Sequence, residues 1–367
     1  MTHSLYNRPK LLIIDKNQFG YVPDPFKWCE HLRYKYDITF ISGDHNLPKI
    51  ELSDIKIKYV HFQRLPYVLR GLLFILTAIV FVYRNPNNNI IIEYFKWCSI
   101  IQFFCPWKKI IVDIRTLCVE KDERQRQSSD RQLIKDCGRF KRITAISEGV
   151  KNKLGLSGIQ LLPLGSDVIS DTQKNYNTNI KILYVGTLYN RNIHEMLHGI
   201  GLFVQKHPNI SITVDIVGDG INGQFDYLKN VIYNNGLKHI VKLHGYIPLT
   251  HLKPFFDNCN IGLSYVPITD YYNYQPPTKT FEYIRSGLFC IATATKANSE
   301  IINSTNGILI QDTPESVCIG LETFLRLKSN INEQSLRNTL KDNSWENISN
   351  ILSIGILGTK QPPESDL

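Results

Sequence analysis

The segment QPPTKTFEYIRSG, Gln275 to Gly287, joins a helix start to a cation and a carboxylate one turn apart. Pro276 and Pro277 end the preceding loop and set up a helix, with Thr278 placed to cap it. Lys279 and Glu282 are three residues apart and share a helix face. A helix N-terminus offers free N–H groups and partial positive charge, which suits phosphate. Lys279 adds a full charge suited to a diphosphate, and Glu282 can accept hydrogen bonds from a ribose diol. The same two residues also read as an ordinary surface pair worth a few tenths of a kcal/mol.

Two further segments bear on phosphate chemistry. In VGTLYNRNI, Val185 to Ile193, Gly186 lets the backbone approach a ligand after a strand. Arg191, near the next helix start, either neutralises the same diphosphate or is a solvated turn arginine. In VGDG, Val217 to Gly220, two glycines permit close approach of a nucleobase or ribose, although turns use glycine anyway.

The elements that must position these residues alternate between short apolar runs and helical patterns, which predicts parallel α/β sheets. In the first half, strands are expected at Lys10–Asp15, Asp37–Ser42, Lys56–Phe62, Asn89–Tyr94, Lys109–Arg115, Arg142–Ser147 and Ile159–Gly165. The polar stretch Ser166–Asn179 has no apolar period and reads as a linker. The pattern restarts at Lys181–Leu188 and continues through Ile212–Gly220, Val241–Pro248, Asn260–Pro267, Phe289–Ala294 and Gly307–Gln311. The expected organisation is therefore a first domain over 1–165, a linker over 166–179 and a second domain over 180–342. A final helix over 343–358 and a disordered tail over 359–367 complete it. Ligands of such sheets sit beyond the carboxyl ends of the strands, so two such domains facing one another make a deep cleft.

Length and composition agree with two globular cores: 367 residues, 43% hydrophobic and 20% charged. The net charge of +9 suits anionic partners, or simple solubility. No basic block alternates with aromatics, so nucleic acid is not expected. The eight cysteines form neither CxxC pairs nor zinc spacings, which predicts reduced thiols and no metal site. The N-terminal residues lack a signal pattern, and the chain is expected to be cytoplasmic. The apolar run Leu69–Tyr83 is shorter than the ~20 residues a spanning helix needs. It is expected to be a buried or partly buried helix, or a helix dipping into an anionic membrane surface.

The second half resembles the group 1 (family 4-like) glycosyltransferases of GT-B fold. The matching segments are the Gly186/Arg191 entry, VGDG, LHGYIP, NIGLSYVP, PPTKTFEYIRSG, FCIAT, Glu300 and NGILI. SWENISNIL is similar to the family's final helix, which crosses back to the first domain. In the first half, KKIIVDIRT and ITAISEGVKNKL resemble the acceptor domain less specifically.

The resemblance implies a retaining, metal-independent transfer of sugar from a nucleotide diphosphate-sugar to a saccharide or lipid-linked saccharide, as in bacterial surface polysaccharide synthesis. The nucleotide-sugar is a co-substrate and no cofactor is implied. Arg191 and Lys279 would face the diphosphate and Glu282 the ribose. Gly186, Thr187, Gly218, Asp219, Gly220, Tyr274 and Thr278 line the donor region, and Gly20 approaches the donor phosphates from the first domain. Two positions depart from the pattern. Tyr274 stands where many relatives have Glu, and Thr187 where many have Arg. Asp113 and Arg115, ending one first-domain strand, are either catalytic groups reaching the cleft or a structural ion pair, and Glu93 ends another strand. Two rival readings are a GT-B epimerase or hydrolase of nucleotide-sugars and a non-catalytic nucleotide-sugar-binding scaffold.

Overall fold

The computed structural model describes residues 8–63, 65–86, 89–221 and 223–358, so the expected tail over 359–367 lies outside the described residues. The chain divides into two units, Met1–Gly165 with Trp345–Leu367, and Ser166–Ser344.

The first unit is built on seven parallel strands: β1 (Lys10–Asp15), β2 (Asp37–Asp44), β3 (Ile55–His61), β4 (Ile90–Glu93), β5 (Ile110–Ile114), β6 (Arg142–Ala145) and β7 (Ile159–Leu161). Their order is β3-β2-β1-β4-β5-β6-β7. Strand order reverses direction between β1 and β4, the kind of point where open sheets take ligands. Ile13, Ile91 and Ile111 are wholly buried, because helices cover a parallel sheet on both faces. The chain's final segment returns to this unit. Ile348, Leu352 and Ile356 join the cluster containing Trp28, Leu32 and Tyr36. Tyr36 and Ser353 share a hydroxyl hydrogen bond of 2.9 Å. Trp345 stacks so tightly on Gly165 that any Cβ there would overlap its ring.

The apolar run forms the helix Tyr67–Arg84. One face is buried through Phe74, Ile75, Ala78 and Val82. Phe74 meets Phe62 and Phe95 edge to face. Among the described residues no helix is long and apolar enough to cross a membrane.

The second unit has six parallel strands: β8 (Ile180–Val185), β9 (Ile212–Val217), β10 (Val241–Leu243), β11 (Ile261–Ser264), β12 (Phe289–Thr293) and β13 (Gly307–Ile310), in the order β10-β9-β8-β11-β12-β13. The switch point lies between β8 and β11. Gly262 in β11 lets the helix Thr278–Arg285 close on the sheet, since a Cβ at 262 would strike the Tyr283 ring. The helix Pro314–Leu327, not anticipated from the sequence, packs on Ile193–Lys206 where Gly199 admits the Pro314 carbonyl and Val317.

The stretch Ser166–Asn179, expected to be a linker, is fastened to the second unit along its length. Ile169 N–H donates to Ser286 Oγ at 2.9 Å, Ser170 Oγ to Asp257 at 2.6 Å and Tyr176 Oη to the Gly287 carbonyl at 2.7 Å. Lys174 Nζ donates to Ser170 Oγ at 3.1 Å and to the Phe256 carbonyl. A polar composition hid this, because hydrogen bonds rather than apolar burial hold the strap.

Trp345→Ala empties a filled site in the first unit and should cost about 3–5 kcal/mol, read as a lower urea midpoint. A loss below about 1 kcal/mol would show that the final helix does not anchor there.

Candidate functional site

The loops after β8 and β11 bring the expected cations together. Lys279 sits in the first turn of Thr278–Arg285 with its Nζ 3.8 Å from the centre of the Tyr184 ring, at the end of β8. The Arg191 guanidinium lies 4.1 Å from the centre of the Tyr272 ring. Tyr272 is itself fixed by Asn190, whose amide donates to its hydroxyl at 3.1 Å. Both cations are half-buried, and no carboxylate lies within ion-pair distance of either among the described residues. Aromatic faces supply weak attraction, about 0.5–2 kcal/mol each, without neutralising the charge. Burial and the neighbouring Arg191 charge push the Lys279 ammonium well below the usual lysine range. An anion placed here would relieve both effects.

The backbone around the cations is shaped for close approach. Gly186, with φ +144°, faces Lys279, whose Nζ would lie 3.4 Å from a Cβ at that position. Gly218, with φ +154°, presses against the Gly186 carbonyl so closely that a Cβ would overlap it. The strand ends are further tied by Leu188 N–H donating to the Asp219 carbonyl at 2.9 Å. Asp219 accepts from the Gly220 N–H at 2.7 Å. Thr187 is exposed, and its carbonyl accepts from the Tyr184 hydroxyl at 3.0 Å.

Thr278 does not cap the helix. It is the first helical residue, and Pro277 stands at the capping position with no side chain that could accept a bond. The first N–H groups of the helix are thereby left for a ligand rather than for a cap. Glu282 lies half-buried one turn on, on the Lys279 side. Tyr274 stacks with Lys296, Nζ 4.9 Å from its ring centre, and accepts from the same Nζ at 3.0 Å. A cation therefore reaches the place where the family pattern has a carboxylate.

The first-unit candidates behave differently. Asp113 is fully buried in β5 and accepts from Thr144 Oγ1 at 2.5 Å. Arg115 pairs with Asp24, donates to the Leu162 carbonyl at 2.7 Å and lies 3.6 Å from Asp113. Of the two readings given for this pair, the inward placement of both side chains favours the structural ion pair. Gly20 also has a packing task, since a Cβ there would overlap Ile50, and its φ of +88° favours glycine.

Glu93 joins this inward group. Burial, then Asp15, Asp113 and Asp24, hold its carboxyl well above the ordinary range, against the opposing Arg115 charge. Burial also raises Asp15 and Asp113 to about 6. A cavity of about 360 Å³ opens beside Asp15 at the carboxyl ends of β1, β2 and β4, bordered by Asn17, His45, Gln63 and Tyr94. Sequence reasoning passed over it, since these residues come from separate loops with no shared motif. His244 bonds Asp215 at 2.7 Å and packs on Phe255, a structural setting. Among the described residues no group of three or more His, Cys, Asp or Glu side chains is placed to hold a metal ion.

With two Rossmann-like parallel-sheet domains and strand switch points in each, the chain has the GT-B architecture. Residues 179–326, most of the second unit, match the family model described as Glycosyl transferases group 1. No curated protein matches the whole sequence closely enough to count. Among solved structures, sucrose-phosphate synthase from Thermosynechococcus elongatus superposes with a TM-score of 0.76 at 13% identity, covering 95% of this chain and 98% of that one. HepE from Anabaena in complex with UDP gives 0.74 at 13% identity, covering 95% and 100%. WaaG, a glycosyltransferase involved in lipopolysaccharide biosynthesis, gives 0.69 at 12% identity over 95% and 100%.

Two stability effects follow. The folded-state value of Lys279 lies below its unfolded value, so its charge subtracts stability at neutral pH, and stability rises as pH climbs through the folded value. Lys279→Met, which keeps the stem and removes the charge, should raise Tm by a few degrees without ligand; a lower Tm would contradict the half-buried, unpaired charge. In the first unit the sign is opposite in chemistry and equal in logic. Carboxyls raised in the folded state hold extra protons, so their contribution is lost as pH rises from about 4 through about 6. Glu93→Gln should therefore raise Tm more at about pH 7.5 than at about pH 4.5, and an equal change at both would contradict the raised carboxyl.

Proposed function

We propose that the protein is a retaining, metal-independent glycosyltransferase. It moves a sugar from a nucleotide diphosphate-sugar to a saccharide or lipid-linked saccharide in surface polysaccharide synthesis. The observation that carries this reading is the pair of half-buried cations, Arg191 and Lys279, with no carboxylate at ion-pair distance among the described residues, at an uncapped helix start. When the glycosidic bond to the diphosphate breaks, negative charge grows on the departing phosphate oxygen. Cations already fixed on tyrosine faces stabilise that charge without having to reorganise. Lys279 and Arg191 are thus assigned the leaving-group role, and Glu282 the ribose diol. Gly186 and Gly218 to Gly220 give the nucleotide its close backbone approach.

Solved structures of similar fold support the donor class: HepE was crystallised with UDP and with UDP-glucose. WaaG and the galactosyltransferase WaaB act in lipopolysaccharide synthesis, which supports the polysaccharide setting. The first unit takes the acceptor in this reading. Its cavity beside Asp15, about 360 Å³ with Asn17, His45 and Gln63 on its border, offers polar groups and a size suited to part of a sugar. Tyr274 beside Lys296 replaces a carboxylate with a cation, so the donor sugar is expected to differ from that of Glu-bearing relatives.

Thermal shift with UDP, GDP, ADP and CMP and their sugars tests the site. One nucleotide at about 100 times its Kd should add about 2.7 kcal/mol, a rise of several degrees that Lys279→Ala abolishes. With the matching sugar donor, Lys279→Ala or Arg191→Ala should lower turnover by about 10²–10³-fold. Unchanged turnover in both variants would remove the diphosphate assignment.

A further inference from the structure

The helix Tyr67–Arg84 is apolar on the face that the first unit does not cover. Leu69, Leu72, Leu76, Val80 and Tyr83 fall at helical spacing along that face, with Leu72 and Leu76 each 51% exposed. The stripe does not end with the helix. Tyr83 meets Trp107 edge to face at 5.9 Å, Trp107 borders the same groove as Phe103, and Phe103 meets Phe104 edge to face at the end of the helix Ser99–Phe104. Phe103 is 68% exposed and Trp107 58%. Soluble surfaces carry scattered exposed apolar residues, but a continuous run of leucines and aromatics of this length marks a contact surface.

Charge identifies the occupant. Between Phe62 and Lys109 the sequence has six Lys or Arg and one acid, Glu93, which is half-buried at the end of β4. Beside Trp107 a groove of about 900 Å³ is bordered by Lys108, Lys109, Arg139, Lys141 and Arg142. Leucines and aromatics flanked by basic residues match the interface of an anionic bilayer, where side chains sink to the acyl boundary and cations meet phosphates. A symmetric pair of chains fits less well, because an isologous contact would set each basic rim against its own copy.

We propose that the outer face of Tyr67–Arg84, together with Phe103, Phe104 and Trp107, docks the protein onto an anionic lipid bilayer, with Lys109, Arg139 and Lys141 on the headgroup phosphates. The helix lies in the membrane plane, because its opposite face, through Phe74, Ala78 and Val82, is committed to the protein core. This surface is independent of the nucleotide site and stands or falls separately from it.

Sedimentation with vesicles tests the surface. The full chain should pellet with phosphatidylcholine vesicles containing about 30% phosphatidylglycerol and bind pure phosphatidylcholine at least about tenfold more weakly. Raising NaCl from about 0.1 to about 0.5 M should weaken binding. Leu72→Glu with Leu76→Glu should weaken it at least about tenfold, and Lys109→Glu with Lys141→Glu by a similar factor. On binding, the Trp107 emission should shift to the blue, a shift that Trp107→Phe removes. The side chains replaced are exposed, so each variant should keep the parent's circular dichroism and its thermal response to nucleotide. Absence of vesicle binding by the parent chain overturns the proposal. Binding that survives both double variants overturns it too, by placing the lipid contact elsewhere. A dimer of the parent chain that Leu72→Glu with Leu76→Glu dissociates, without vesicle binding, would assign the stripe to self-association. Loss of the nucleotide response in the parent chain would count against the glycosyltransferase reading alone.

Discussion

Two like charges, held half-buried with no carboxylate at ion-pair distance among the described residues, set the terms for the second unit. Arg191 and Lys279 raise each other's cost, and the protein answers with the faces of Tyr272 and Tyr184 instead of carboxylates. A carboxylate would stabilise the empty protein more, yet it would also compete with any incoming phosphate. The tyrosine rings attract the cations weakly and leave their charge available. The arrangement gives up stability at a place where ligand can restore it, the pattern expected of a functional site rather than of a structural ion pair.

The surrounding fold can be read as the means of holding that pair. Reversal of strand order between β8 and β11 opens a gap above the sheet, and the loops from both strands lead into it. Gly262 lets the Thr278–Arg285 helix press onto β11, which fixes Tyr283, whose hydroxyl accepts from the Val185 N–H at 2.7 Å. Gly186 and Gly218 then touch where no side chain fits. The first unit solves the opposite problem. There Arg115 gathers Asp24 and Asp113, and burial keeps Asp15, Asp113 and Glu93 nearer to neutrality. One unit hides its charges in pairs, and the other leaves two cations open.

Much of this was legible in the residues. The alternation of apolar runs and helical patterns located the strands of both sheets to within a few residues. Lys279 and Arg191 stood out because each follows a strand and opens a helix. What stayed hidden depended on direction and partners. Asp113 ends an apolar run, and a strand covered on both faces has no outward side for it to occupy. Thr278 resembled a cap, but the chain starts the helix at that residue, with Pro277 before it. Ser166–Asn179 looked like free linker because its restraint comes from Asp257, Ser286 and Gly287, all remote in sequence. The tyrosines beneath the cations carry no spacing signal at all, as Tyr184 lies within β8 and Tyr272 in the loop before the helix.

The central claim is that a diphosphate binds against Lys279 and raises the lowered titration range of its ammonium. Calorimetric titration of UDP near pH 8.5, in two buffers of different ionisation enthalpy, counts the protons exchanged on binding. Nucleotide phosphates, with a second pKa of about 6, are already ionised at that pH, so proton uptake reports on the protein. The account predicts net uptake by the parent chain, and weaker binding with no uptake by Lys279→Met. Tight binding without proton uptake, or the same uptake in both proteins, would contradict it.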